Sequence, residues 1–139
     1  MNMNKAINQY AKVNKQTAIE DANPHQLICM LYDGAVDNLT KAKGCLMRKD
    51  FAGKGENIGR AITIIGGLQG FLDMDQGGDI AKNLDALYDY MSKRLYEVTR
   101  DNDLVVLDEV ISLLKEVREG WVGIATEAAQ IFESSKKGE

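Results

Sequence analysis

The sequence is short of the residues that mark a catalytic or metal-binding helical bundle. It contains one histidine, His25, one proline and two cysteines, Cys29 and Cys45. A di-iron bundle needs Glu-x-x-His motifs on facing helices, and the sequence has none. A phosphorelay bundle needs a histidine in mid-helix, whereas His25 falls in a predicted first turn. The cysteines lack metal-ligand spacing and are expected to be reduced thiols. We therefore expect no enzyme activity, no metal and no cofactor.

Long apolar runs and an excess of positive charge are also missing. No segment approaches the roughly 20 apolar residues of a membrane-spanning helix. Residues 1–16 are polar and lack the apolar core of a signal peptide. The net charge is −4, whereas nucleic-acid binding usually needs a clustered basic face. These absences predict a cytoplasmic protein with no nucleic-acid partner and no insertion into a membrane.

Four long helical patterns are what the sequence does contain. The first begins at Asn23, which can cap a helix, followed by Pro24, which suits the first helical position. Gln26 can complete a capping box with Asn23. Apolar residues then recur at three- and four-residue steps.

The breaks between the patterns are short and polar or rich in glycine. We expect them at 49–57, at 73–79 and at 100–103, with Asp79 as the cap of the third helix. The turn at 73–79 partly resembles a calcium loop but lacks its final glutamate, so a helix-capping turn is favoured. Long helices with short connections predict an all-α fold, an antiparallel up-down four-helix bundle over residues 23–132.

The two ends of the chain have a different pattern. In residues 1–22, Ile7, Tyr10 and Val13 are spaced like one helical face in a polar background. They predict a short extra N-terminal helix or arm that lies on the bundle and can detach. Residues 133–139 are expected to be a disordered tail.

Two similar stretches, MLYDGAVDNL and ALYDYMSKRL, each place an acid beside a tyrosine. Successive helical residues differ by roughly 100° around the axis, so Asp33 and Asp89 are expected to face water. Tyr32 lies at the shoulder of its apolar stripe and Tyr88 lies within its own. The sequence shows no second side chain that would meet either aspartate to carry out acid–base chemistry. We therefore interpret the tyrosines as packing or groove-edge residues.

The second helix carries glycines on one narrow face. Gly59, Gly66 and Gly70 align there, although each glycine inside a helix costs roughly 1 kcal/mol relative to alanine. Ile64 and Phe71 widen the apolar arc beyond the need of one core face. Two explanations stay open: close packing of a neighbouring bundle helix, or a shallow groove that binds a helix of a partner.

Three stretches are similar to a known family. They are YAKVNKQTAIEDANPHQLICMLYDGAVDNLTKAK, NLDALYDYMSKRLYEV and LDEVISLLKEVREGW, and the similarity runs from about Tyr10 to Trp121. Their order and spacing resemble the flagellin-specific export chaperone family FliS. The resemblance implies an antiparallel helical bundle without enzymatic activity. It also implies a chaperone of the bacterial cytosol that binds the disordered C-terminal segment of flagellin, prevents premature polymerisation and aids delivery to the flagellar type III export gate.

The resemblance also implies where the partners bind. In this family the client folds into helices in apolar grooves, and the N-terminal arm can cap part of a groove. That role would fall on Ile7, Tyr10 and Val13. The residues that we predict to line the flagellin groove are Ile58, Ile62, Ile64, Ile65, Gly66, Leu68, Gly70, Phe71, Tyr32 and Tyr88. A homodimer and an adaptor role for another secretion-related protein stay open.

Overall fold

The computed structural model describes residues 23–123, which form four helices with no strand among them. Helix α1 spans Pro24–Met47, α2 spans Phe51–Gly70, α3 spans Gly78–Asp101 and α4 spans Leu104–Gly123. The connections are 48–50, 71–77 and 102–103, so consecutive helices are joined by short turns. The all-α four-helix bundle predicted from the sequence is confirmed.

The start of α1 has the predicted capping box. The Asn23 side chain accepts a hydrogen bond from the Gln26 backbone N–H at 2.8 Å, and the Gln26 side chain accepts one from the Asn23 N–H at 3.0 Å. Pro24 occupies the first turn, where its missing N–H has no intrahelical partner to lose. This local pattern marks the start of α1.

The first break is much shorter than predicted. The sequence suggested a break over 49–57, but α2 already begins at Phe51, with Asp50 as its N-cap and a 3.0 Å hydrogen bond from the Gly53 N–H. A Cβ at Gly53 would lie 2.5 Å from the carboxylate of the capping Asp50 and 2.8 Å from the Cys45 sulfur, so this position requires glycine. A glycine that looked like a helix breaker instead allows α1 and α2 to approach closely.

The cap of α3 also differs from the prediction. Gly77 is the N-cap and makes no side-chain hydrogen bond, while Asp79 lies inside the first turn. A Cβ on Gly77 would lie 2.6 Å from the Asp73 carbonyl oxygen and from Ala81, which excludes a side chain there. The Asp73 carboxylate instead holds the turn by accepting from the backbone N–H groups of Asp75 and Gln76.

The last connection is the tightest. Asn102 ends α3 in the left-handed conformation at φ 56°, with its N–H bonded to the Val98 carbonyl. Asp103 then caps α4 by accepting from the backbone N–H of Val105 and Val106. The buried Lys54 ammonium donates to the Thr99 carbonyl at 3.0 Å and to the Asn102 side chain. The start of α2 is thereby tied to the end of α3.

Cross-links between helices show the antiparallel arrangement. Asp33 near the start of α1 pairs with Arg118 near the end of α4, and Lys43 further along α1 pairs with Asp108 nearer the start of α4. The core between the helices holds small and large apolar side chains. Its completely buried members include Ala35, Leu39, Ala42, Ala61, Ile65, Met91, Leu95, Leu107 and Leu114.

The predicted N-terminal arm, with Ile7, Tyr10 and Val13, and the predicted tail at 133–139 lie outside the described residues, as does the stretch 124–132 of the predicted bundle. Among the four described helices, none is both long and apolar enough to cross a membrane.

Candidate partner-binding surface

Half of the residues predicted to line a partner groove are core residues in this arrangement. Ile58, Ile65 and Leu68 of α2 are at most 2% exposed, and Tyr32 and Tyr88 are each 2% exposed. Their side chains fill the space between the helices. A partner helix lying on the bundle surface would meet other residues.

The glycine face of α2 is open. Gly59, Gly66 and Gly70 are exposed, and a Cβ built on Gly59 or Gly66 would meet no described atom within 4 Å. Packing of one of the other three described helices therefore does not explain Gly59 and Gly66. Thr63 lies between them, and its hydroxyl donates a hydrogen bond to the Gly59 carbonyl oxygen at 3.1 Å. The hydroxyl therefore already has a partner within α2. The result is a smooth strip along the outer side of α2.

Three apolar side chains of α2 remain partly exposed. Ile62, Ile64 and Phe71 are half-buried and pack against the core with part of their surface in contact with solvent. At roughly 100° per residue, Ile62 lies between the core and the glycine strip, whereas Ile64 and Phe71 lie at the opposite edge of the core-facing arc. Because the backbone is uncovered at Gly59 and Gly66, another helix can approach α2 more closely here than at a position that carries a side chain.

The two tyrosines contact each other inside the bundle. The Tyr32 hydroxyl and the Tyr88 hydroxyl form a hydrogen bond between α1 and α3. Burial raises the pKa of both phenols, and for Tyr88 the neighbouring phenol of Tyr32 raises it further. Both side chains therefore stay protonated at neutral pH. The pair satisfies two polar groups that would otherwise be unpaired in the core.

The acids beside the tyrosines lie at the surface, as the sequence predicted. Asp33 is half-exposed and accepts from the Arg118 guanidinium at 2.5 Å, and Asp89 is exposed and accepts from the Gln69 amide at 2.9 Å. The Gln69 amide also donates to the Asp85 carboxylate at 3.1 Å, so Asp85 and Asp89 share this donor. The role of Asp33 and Asp89 in this arrangement is to join neighbouring helices.

The contact between His25 and Trp121 was not predicted from the sequence. The His25 ring lies 2.9 Å from the Trp121 carbonyl oxygen through Nε2, and the indole N–H donates to the His25 carbonyl at 3.1 Å. The two rings are stacked with centroids 4.7 Å apart. These contacts join the start of α1 to the end of α4. No local pattern reports a pairing of residues 96 positions apart.

Within residues 23–123, no three or more His, Cys, Asp or Glu side chains gather into a group that could hold a metal ion. The geometry and the surface together define a helical-bundle protein whose candidate site is an exposed helix face.

The chain belongs to the family Flagellar protein FliS, which it matches over residues 6–128. It is 48% identical over 121 residues to flagellar secretion chaperone FliSB of Pseudomonas aeruginosa, covering 87% of this chain and 96% of that protein. It is 43% identical over 131 residues to flagellar secretion chaperone FliS of Salmonella typhimurium, covering 94% of this chain and 96% of that protein. A more distant relative, FliS of Bacillus subtilis, is 29% identical over 107 residues, which are 77% of this chain and 79% of that protein.

Proposed function

We propose that this protein is a cytoplasmic export chaperone for flagellin. In this proposal it binds the disordered C-terminal region of flagellin, prevents its premature polymerisation and aids its delivery to the flagellar type III export apparatus. Two findings support the proposal: relatives that span most of the chain are named flagellar secretion chaperones, and α2 presents an open face. The openness of Gly59 and Gly66 is the single observation that carries it.

The physical role of the open face follows from the energetics of a helical client. A helix interior gains about 1 kcal/mol for each glycine replaced by alanine, and an alanine Cβ at Gly59 or Gly66 would meet no described atom. Packing among residues 23–123 therefore gives no reason for glycine at these two positions. A partner helix that packs directly on the α2 backbone does give one, because a side chain would hold the two helices apart.

The client surface in this proposal consists of the glycine strip and the partly exposed apolar side chains of α2. The strip is Gly59, Gly66 and Gly70, and the apolar side chains are Ile62 beside the strip and Ile64 and Phe71 at the other edge of the core-facing arc. A disordered segment that folds into a helix on this surface gains apolar contacts and loses conformational entropy at the same time. Such a surface can hold a segment that has no fold of its own, and it can release that segment when another partner competes.

The N-terminal arm is proposed to act as a displaceable cap of this surface. Its apolar residues Ile7, Tyr10 and Val13 lie outside the described residues, and the proposal rests on their spacing in the sequence and on the resemblance to the family. Three apolar contacts in a polar segment give a cap that a longer client can displace. Components of the export gate are the second class of partner in this proposal.

Co-purification of the full chain with a C-terminal flagellin fragment tests the proposal. We expect a complex at micromolar concentrations that survives gel filtration, with mass measurement of the free chain reporting whether it is also a homodimer. No complex at these concentrations would contradict the flagellin proposal. If a pull-down from flagellated cells then returned a different secretion-related protein, the adaptor alternative would replace it.

A further inference from the structure

A histidine and a cysteine, two residue types that can bind metal ions, lie one turn apart on α1. His25 and Cys29 are separated by four positions, and the His25 Nδ1 atom lies 3.9 Å from the Cys29 sulfur. Their side chains therefore project from the same side of the helix. Cys29 is partly exposed, so a small ion can reach the sulfur from solvent, whereas His25 is only 9% exposed.

The surroundings of His25 direct one ring nitrogen at the thiol. Its Nε2 atom lies 2.9 Å from the Trp121 carbonyl oxygen, and a carbonyl can only accept, so Nε2 carries the proton. In the neutral ring, the Nδ1 lone pair then faces Cys29. Histidines that bind metals are usually held in this way, with the second nitrogen donating to a carbonyl or carboxylate.

The ring is also held rigidly. The Trp121 indole stacks on it with 11° between the planes and donates its own N–H to the His25 carbonyl at 3.1 Å. The imidazole is fixed from above by stacking and at its edge by a hydrogen bond. A donor that is already oriented loses little entropy when it binds an ion.

The separation of the two donors matches a bridging ion. Bonds of about 2.3 Å to sulfur and about 2.0 Å to nitrogen place the two donors about 3.5 Å apart at a tetrahedral angle and about 4.3 Å apart in a linear arrangement. The observed 3.9 Å lies between these limits. An ion can therefore enter between Nδ1 and the sulfur with shifts of a few tenths of an ångström.

We propose that His25 Nδ1 and Cys29 Sγ bind one soft, closed-shell metal ion of the Cu(I) class. Thiolate sulfur prefers soft ions, and Cu(I) accepts as few as two ligands, whereas zinc usually requires four. No third ligand gathers here among residues 23–123, which favours Cu(I) over zinc. The proposal goes beyond the export function and does not depend on it.

Binding exchanges a proton for the metal. Burial raises the pKa of Cys29 above its usual value, the Arg118 guanidinium opposes this rise and the Asp33 carboxylate adds to it. The metal-free thiol is therefore protonated at neutral pH. One sulfur–metal bond forms as one S–H bond breaks, and the proton goes to solvent with no change of oxidation state.

An anaerobic competition titration with Cu(I) held by the chromophoric chelator bicinchoninate tests the site on the full chain. We expect the wild type to withdraw one ion per chain from the chelator with quenching of Trp121 fluorescence. Cys29→Ser should lose this ion. His25→Gln keeps an N–H donor for the Trp121 carbonyl and should bind at least tenfold more weakly. Cys45→Ser, which removes the other thiol, is the matched control and should bind like the wild type.

Three outcomes would overturn the site. They are no withdrawal of Cu(I) by the wild type, equal affinity in His25→Gln, or loss of the ion in Cys45→Ser but not in Cys29→Ser. If His25→Gln did not fold, nitrogen NMR of the wild-type imidazole with Ag(I) as the probe would decide. A shift of the Nδ1 resonance without one at Nε2 is expected, and unchanged nitrogen resonances would contradict the site.

Discussion

The hydroxyl groups of Tyr32 and Tyr88 are hydrogen-bonded to each other in the centre of the bundle, where each side chain is 2% exposed. The two residues belong to α1 and α3 and are 56 positions apart. Each is the other's hydrogen-bond partner within the described residues. The stability of the core therefore depends on the pair rather than on either hydroxyl alone.

A double-mutant cycle on this pair should be strongly non-additive. Tyr32→Phe leaves the Tyr88 hydroxyl buried without a partner, which should cost about 1–3 kcal/mol. Tyr88→Phe should cost a similar amount for the same reason. The double variant has no unpaired hydroxyl and should be less destabilised than the sum of the two single variants. Urea unfolding of the four proteins measures this, and additive losses would contradict the pairing.

The same pair should make the protein sensitive to alkaline pH. Burial raises the pKa of Tyr32 and of Tyr88, so the folded state keeps both protons above pH 10 while the unfolded state loses them. The contribution of the two protonated tyrosines to the free energy of unfolding is complete below the unfolded pKa of about 10. Above that pH, the free energy of unfolding should fall by about 1.4 kcal/mol per pH unit for each tyrosine. Urea midpoints at pH 8, 10 and 11 measure the decline. It should be shallower in the double phenylalanine variant, and equal slopes would contradict the assignment.

Deletion of residues 1–22 should separate binding from folding. The capping box at Asn23 and Gln26 starts α1 independently of the preceding residues, so the helix content should be nearly unchanged. If the arm caps the client surface, the truncated chain should bind the flagellin fragment with a different affinity. Circular dichroism and calorimetric titration measure the two properties. Global unfolding of the truncated chain would instead make the arm part of the core.

Local rules in the sequence predicted much of the fold. The N-terminus of α1 depends on residues within three positions of one another, and the capping box was predicted correctly. The four apolar periodicities likewise predicted the four helices. These features are encoded by short-range spacing, which a single sequence displays in full.

The errors have a common cause, which is glycine used for packing. Gly53 was interpreted as part of a break, but the adjacent Cys45 sulfur leaves no room for a side chain there. Asp79 was predicted to cap α3, but the N-cap is Gly77, where Asp73 and Ala81 lie too close for a Cβ. The residue type shows that a side chain is excluded, but spacing does not identify the excluding atoms, which lie within four residues for Gly77 and include the Cys45 sulfur of the preceding helix for Gly53.

The candidate surface was predicted only in part, because its composition depends on tertiary packing. The helical wheel placed Gly59, Gly66 and Gly70 on one face, and the structure leaves that face exposed. The helical wheel could not divide the apolar residues of α2 between the core and the surface, because that division depends on where α1 and α3 lie. The contact of His25 with Trp121 depends on tertiary structure alone.

Calorimetric titration of the C-terminal flagellin fragment into the wild type, Gly66→Leu and Gly120→Leu tests the central claim most directly. A Cβ at Gly66 or at Gly120 meets no described atom within 4 Å, so both leucines should be tolerated and should raise helix stability by similar amounts. Of these two glycines, only Gly66 lies on the proposed client surface. We expect Gly66→Leu to weaken binding at least tenfold, while Gly120→Leu stays within about twofold of the wild type; at least tenfold corresponds to about 1.4 kcal/mol or more. Wild-type affinity in a folded Gly66→Leu variant would contradict the claim that flagellin binds on the glycine face of α2.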